Sequence, residues 1–229
     1  MDSVEIISEM RKLHLDVEAQ FLSFNKIVPY NHNPTEVYSP RLYSILQSAC
    51  AQVTSMMGTV TKSLNISLTD ISKASDEKQK KFEDYFMLLN EQGMLAGQSV
   101  APREKIDMTI SPFRFRKQNV PKWWQDYNDT KHDLPKGAYI GTIRNVLNAL
   151  AAVTILHHIA ECALNSSDAS KVLTSKNWRD ISSEVREDYR RLRNTNMVSG
   201  VIHIAHGGFL THKSRVFFYL NEFHPVNNP

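Results

Sequence analysis

The sequence, 229 residues long, is poor in cysteine and has no strong excess of charge of either sign. Its two cysteines, Cys50 and Cys162, lie inside apolar runs and not in a CxxC or Cys/His spacing, which argues against a redox couple or a thiolate metal site. We expect two buried, reduced thiols. The 27 Lys and Arg oppose 24 Asp and Glu, a formal charge of +3, so attraction to nucleic acid would have to come from a local patch.

The sequence also lacks a long apolar run. The most apolar segment, 146–160, is shorter than the roughly 18–20 residues that cross a bilayer, and it contains Asn148, His157 and His158. We expect a buried helix in which the two histidines are structural. The N-terminal residues include acids and no apolar core of a secretory signal, so we expect a cytoplasmic protein without membrane contact.

Several nucleotide-binding and hydrolase motifs are missing. The chain has no GxxxxGK or GxGxxG loop, no GxSxG elbow and no HExxH helix. ATP hydrolysis, dinucleotide chemistry and serine hydrolysis are therefore disfavoured.

Apolar residues at three- and four-residue steps predict a mainly helical fold. Ser39 followed by Pro40 is typical of a helix start. The sequence from Tyr139 to Asn165 is apolar on nearly all sides, which predicts the central helix. Leu134-Pro135 and Gly137 are expected to end the helix before it. The predicted helices cover 4–24, 40–64, about 75–90 with Phe82, Phe86 and Leu89 inward, 121–132, 139–165 and about 177–193.

Two regions depart from helical periodicity. Residues 94–120 contain prolines and an alternation around Ile106, Met108 and Ile110, which predicts a loop with a short strand. Segments 198–205 and 214–220 flank His206-Gly207-Gly208, which predicts a β-hairpin. We expect a helical domain over 1–165 with an irregular insertion at about 93–120, and an extension over 166–229, a helix and a hairpin packed on that domain.

The densest set of chemically active side chains lies between Trp123 and His132. On a continuous helix Trp124, Asn128 and His132 fall at i, i+4 and i+8, and Tyr127 and Lys131 form a neighbouring row. Histidine both donates and accepts protons near neutral pH, and an adjacent amide can orient it or hold a phosphate oxygen. The alternative is that the aromatic row is core and the histidine and asparagine form a structural pair.

A basic stretch precedes this helix. It combines Phe113 and Phe115 with four cations, a composition typical of phosphate contacts and base stacking, although it also fits a solvated loop. The four cations, our candidate RNA-binding residues, are Arg114, Arg116, Lys117 and Lys122.

The segment YNDTKH at 127–132, with Trp123-Trp124 before it and the helix beginning RNVLNALA at 144–151 after it, resembles the HEPN superfamily. The segment 38–50 looks like that family's first core helix, so the resemblance covers roughly Tyr38 to Cys162. It implies an antiparallel helical bundle, a homodimer, and in many members a metal-independent endoribonuclease of toxin–antitoxin, phage-defence or RNA-processing systems. The family motif is Arg, a polar residue, three variable residues and His.

The resemblance assigns roles residue by residue. Asn128 matches the polar position and His132 the final histidine, but Tyr127 stands where the family has Arg. His132 would act as general acid or base when the RNA 2′-hydroxyl attacks the adjacent phosphate, Asn128 would position the phosphate, and Lys131 or Arg116 would stabilise its charge. The resemblance implies no cofactor. An antitoxin or another protein is a candidate partner.

Two other interpretations stay open. The chain fits a non-catalytic helical dimerisation or protein-interaction module, in which the aromatic row is core and the hairpin docks a partner. The spacing of His203, His206 and His212, with His224 further on, matches no established metal pattern and fits polar decoration of a hairpin.

Overall fold

The computed structural model describes residues 3–30, 36–63, 82–91, 95, 98–102, 108–114, 120–165, 214 and 216–220. Over these residues the fold is mainly helical, as the periodicity predicts. The predicted helix at 177–193 and the predicted strand at 198–205 lie outside them. The elements are α1 (Ser3–Asn25), α2 (Pro40–Ser63), α3 (Phe82–Glu91), β1 (Ser99–Pro102), α4 (Lys122–Thr130), α5 (Leu134–Ile140), α6 (Ile143–Asn165) and β2 (Phe217–Leu220).

Helices α2 and α6 form the centre of the core. The predicted start of α2 is confirmed: the Ser39 hydroxyl accepts a hydrogen bond from the Leu42 backbone N–H at 3.1 Å, with Pro40 as the first helical residue. Every residue from 149 to 160 of α6 is buried, so its prediction as the central helix is also confirmed. Helix α1 packs on both, and α3, α4 and α5 pack on α2. The fully buried side chains of α2 are Leu42, Ile45, Leu46, Ala49, Cys50, Val53, Met56, Met57 and Val60.

The inward face of α3 is as predicted. Phe82, Phe86 and Leu89 are all buried, and the rings of Phe82 and Phe86 stack with centroids 5.8 Å apart. The helix runs one residue beyond the predicted end, to Glu91. Its predicted start at about residue 75 lies outside the described part of the chain.

A two-stranded antiparallel sheet joins distant parts of the sequence. In β1 Val100 lies opposite Tyr219 of β2, and Val100 also exchanges backbone hydrogen bonds of 3.0 and 2.9 Å with Ile110. The strand predicted at 214–220 is therefore confirmed over 217–220. Because 198–205 is not described, the hairpin stays a prediction.

The segment Leu134–Ile140 corrects one expectation. Leu134-Pro135 and Gly137 were expected to break the chain between two long helices, and instead they belong to the short helix α5. Asp133 caps this helix by accepting the Lys136 backbone N–H at 3.2 Å. Proline is tolerated in the first turn because its missing N–H has no partner there in any helix. The following helix begins at Ile143, and not at Tyr139.

The expectation of a buried thiol is confirmed for Cys50. Cys50 is a free, buried thiol, and burial raises its pKa; the side chain of Cys162 is not described.

Among the described residues one helical window, Ile143–Ala160, has the length and mean hydropathy of a membrane span. Because 89% of that window is buried inside the protein, it fits the core helix of a soluble fold equally well.

Candidate functional site

Helix α4 is attached to the core by its two tryptophans. Both side chains are buried, which confirms that these aromatic residues belong to the core. The Trp123 indole N–H donates to the Pro112 carbonyl oxygen at 2.8 Å, and the Trp124 ring stacks on Phe82 with centroids 3.8 Å apart. Buried aromatic contacts of this kind hold a short helix that has little stability alone. The residues on the other side of α4, among them Asn128, face solvent.

The candidate catalytic residues lie where α4 ends. The helix was expected to continue to His132, but it ends at Thr130, and Lys131 is its C-cap. The reason is the next helix: Asp133 caps α5, so the chain must turn between Thr130 and Asp133. His132 therefore lies in this turn and does not extend the helical row of Trp124 and Asn128.

The end of α4 and the turn after it present three polar side chains to solvent. Asn128, Lys131 and His132 are all exposed. The Lys131 ammonium donates to the Asn128 side-chain oxygen at 2.9 Å, so a cation and an amide lie together on this surface. An exposed imidazole follows in the next residue. The alternative expectation, in which this histidine and asparagine form a structural pair, stays a prediction.

Tyr127 lies in a different environment from these three residues. It is partly buried, and its ring packs against Trp124 with centroids 5.5 Å apart. Burial is the main cause that raises its pKa above the ordinary value, so the phenol is neutral at physiological pH. The position that holds an arginine in the HEPN motif is thus occupied by a neutral, partly buried ring that packs against the core.

The candidate RNA-binding residues are only partly described. Arg114 and Lys122 are exposed, and Lys122 forms an ion pair with Asp126 one turn along α4. Arg116 and Lys117 lie outside the described residues, as does Phe115. Phe113 is fully buried beside Phe86, with centroids 6.2 Å apart, so the expectation that it stacks on bases is wrong.

A buried polar cluster between α1 and α6 was not among the sites predicted from the sequence. His14 Nε2 lies 3.2 Å from the Thr154 hydroxyl and 3.3 Å from the Glu18 carboxylate. Its ring stacks on His157, with centroids 5.6 Å apart, so His157 has a polar neighbour in the core. The Ser214 hydroxyl, just before β2, donates to the same carboxylate. These contacts join α1, α6 and the β2 segment inside the core.

A signal for this cluster was present in the sequence. His14 and Glu18 follow Ile7 and Met10 at the spacing of the apolar face of α1, so the periodicity places two polar residues among core positions. A buried ionisable residue needs a polar partner. The partners of His14 and Glu18 come from α6 and from residue 214, and no local sequence pattern connects those segments with α1.

No known family model, curated protein or solved structure matches this chain.

Proposed function

We propose that this chain is a HEPN-like protein that binds RNA at the turn after α4 and cleaves it as a metal-independent endoribonuclease. One observation carries the proposal: Asn128, in the last turn of α4, and Lys131 and His132, in the turn that follows, are exposed together beside a helix that two buried tryptophans hold. A site on a rigid support keeps reacting groups in position with little entropy cost. The resemblance of 127–132 to the HEPN motif supplies the substrate class.

In the proposed reaction the RNA 2′-hydroxyl oxygen attacks the adjacent phosphorus while the bond from phosphorus to the 5′-oxygen breaks. His132 either takes the 2′-hydroxyl proton or donates a proton to the leaving 5′-oxygen. The Lys131 ammonium, held by Asn128, stabilises the added negative charge on the phosphate oxygens. The products carry a 2′,3′-cyclic phosphate and a 5′-hydroxyl.

The proposal extends to the assembly. Two proton transfers are needed and each turn presents one described histidine, so a homodimer that pairs two turns would supply both groups. We propose an antiparallel helical bundle for the described helices, a C-terminal hairpin, a cytoplasmic location and a role in bacterial defence or a toxin–antitoxin system, with an antitoxin as a partner protein.

The test compares wild type with His132→Ala on mixed cellular RNA in buffer containing EDTA. Wild type is expected to produce fragments with 2′,3′-cyclic phosphate ends, and His132→Ala is expected to be at least about 100-fold slower, the range of a general acid or base. Lys12→Ala, on the exposed face of α1, is the control and is expected to cleave like wild type.

One observation favours a second function, a non-catalytic interaction module. Tyr127 is a neutral, partly buried ring where the HEPN motif has a cation, so a contact to the reacting phosphate is missing from this position. If wild type is a folded dimer that cleaves no RNA, this second function replaces the first.

A further inference from the structure

Tyr38 and Tyr139 form an exposed aromatic pair close to the candidate site. Their side chains are 52% and 64% exposed, and their ring centroids lie 5.0 Å apart. They are two of the five large hydrophobic residues that are strongly exposed in the described part of the chain. Tyrosines expose their rings at a cost in hydration free energy, so a contacting pair on the surface is typical of a binding surface.

The backbone holds this pair in place. The Ser39 N–H donates to the Gly141 carbonyl oxygen at 3.1 Å, and the Ile143 N–H donates to the Val37 carbonyl oxygen at 3.1 Å. Tyr38 therefore lies in a short bridge opposite Thr142, between these two hydrogen bonds. Because the residues before and after Tyr38 are hydrogen-bonded to Ile143 and Gly141, the ring of Tyr38 stays beside Tyr139 and is ordered before any ligand binds.

Two cations near the pair each form an exposed ion pair with a carboxylate. Lys136 is three residues before Tyr139 on α5, which places the two side chains on one face, and it is 77% exposed. Arg144, 60% exposed, pairs with Glu36 two residues before Tyr38. Lys136 pairs with Asp133, but exposed ion pairs contribute little free energy, so both cations can exchange their partner for a phosphate.

The pair also lies at a suitable distance from the turn. Tyr139 follows Asp133 by six residues, which is roughly 9 Å along α5 at the rise of a helix. A few nucleotides of single strand span such a distance, and aromatic rings stack on bases of any identity. Double-stranded RNA keeps its bases inside the helix and offers no free face for stacking.

We propose that Tyr38 and Tyr139 bind an unpaired base of a single-stranded RNA whose backbone continues to the turn at Lys131 and His132. This inference rests on the proposed function and specifies its substrate as single-stranded RNA. The flanking Lys136 and Arg144 contact the phosphates beside the stacked base.

The experiment measures binding by the full-length chain of a short single-stranded 2′-O-methyl oligoribonucleotide that carries one 2-aminopurine. The 2′-O-methyl group removes the nucleophile, so the probe is not cleaved, and stacking quenches the 2-aminopurine emission. Tyr139→Leu keeps an apolar side chain without the ring, and Tyr139→Phe keeps the ring. Ile27→Ala removes another exposed apolar side chain and is the control.

We expect Tyr139→Leu and Tyr38→Leu each to weaken single-strand binding, roughly 5- to 150-fold for loss of a full base stack. Tyr139→Phe and Ile27→Ala are expected to bind and quench like wild type, and Tyr139→Leu is expected to bind duplex RNA like wild type. Equal binding of the probe by wild type and Tyr139→Leu would overturn the inference, as would an equal loss with duplex RNA. A change of Tyr139→Leu from dimer to monomer in sedimentation would assign the pair to an interface between copies and overturn it too.

Failure of the inference is distinguishable from failure of the proposed function. If wild type binds the single strand and both leucine variants bind equally well, the stacking site is wrong while the turn remains a candidate. If wild type binds neither single-stranded nor duplex RNA, both proposals are wrong.

Discussion

The Tyr43 hydroxyl donates a hydrogen bond to the Thr130 carbonyl oxygen, at 3.2 Å, where α4 ends. The ring of the same tyrosine lies against Gly137 of α5: a Cβ atom built on Gly137 would be 2.3 Å from the Tyr43 Cζ atom. One buried side chain of α2 therefore contacts both helices that flank the turn. The core, and not the turn itself, determines where Lys131 and His132 lie.

Gly137→Ala should destabilise the protein for this reason. In an unconstrained helix, alanine is more stable than glycine by about 1 kcal/mol, but here the methyl group would overlap the buried Tyr43 ring. Overpacking of this kind costs about 1–3 kcal/mol, so the midpoint of denaturant unfolding should fall. The matched control is Gly58→Ala in α2, where the new methyl would lie 3.6 Å from the Tyr85 hydroxyl, an ordinary contact. Gly58→Ala should raise the midpoint, and an equal fall in both variants would contradict the packing argument.

Acid should destabilise the fold through the buried histidines of α6. Burial lowers the pKa of His158 from the ordinary 6.5 to about 4, so between these values the unfolded chain binds a proton that the folded chain does not. The free energy of unfolding therefore falls as pH drops through this window, by roughly 3 kcal/mol in all. His157 has a lowered pKa for the same main reason and acts in the same direction. In His158→Leu, urea unfolding at pH 6.5 and at pH 5 should differ by about 1.5 kcal/mol less than in wild type. Equal differences in the two proteins would show that His158 is protonated in the folded state.

Loss of single cations should change the salt dependence of RNA binding. Each phosphate contact to a single strand contributes about 0.7 to the slope of log affinity against log salt. Lys131→Ala, Lys122→Ala and Arg114→Ala should each lower the magnitude of that slope by about this amount, whatever the RNA sequence. Lys12→Ala should leave it unchanged. If the three variants match this control, the RNA lies elsewhere on the protein.

Tyr127→Arg should raise the cleavage rate. The arginine would place a cation where the HEPN motif has one, and its side chain can stack on the neighbouring Trp124. We expect a gain of about tenfold, because a charged hydrogen bond to the reacting phosphate contributes roughly 1.5–3 kcal/mol at best and part is lost to repacking. Tyr127→Phe keeps an aromatic ring and adds no charge, so this variant should cleave like wild type. A slower Tyr127→Arg enzyme with an unchanged fold would show that the tyrosine itself serves the reaction.

The sequence predicts the long helices because their information is local. Apolar spacing marks α1, α2 and α6, and Ser39-Pro40 marks the start of α2. The prediction from sequence fails for α5, because proline and glycine usually end helices. Only the contact of Gly137 with Tyr43, almost a hundred residues earlier in the chain, explains why glycine stands inside this helix.

The pairing of the strands and the exposure of the candidate site residues also depend on contacts between segments that are not adjacent in the sequence. Strand β1 pairs with β2 more than 100 residues later, and neither strand alternates strongly. Helical spacing and the resemblance to the HEPN motif singled out Asn128, Lys131 and His132 as candidate site residues. The exposure of Lys131 and His132 depends on where α4 ends, and that end follows from the cap of α5 and from Tyr43.

A defined oligonucleotide shows whether His132 promotes attack by the RNA 2′-hydroxyl. Wild type and His132→Ala are incubated in EDTA with a single-stranded RNA and with the same strand carrying one 2′-deoxy nucleotide at the cleaved position, and fragment masses are measured. We expect 2′,3′-cyclic phosphate and 5′-hydroxyl ends from wild type, no cleavage at the deoxy position and almost none by His132→Ala. Cleavage that persists at the deoxy nucleotide, or that His132→Ala performs at the wild-type rate, would contradict this expectation.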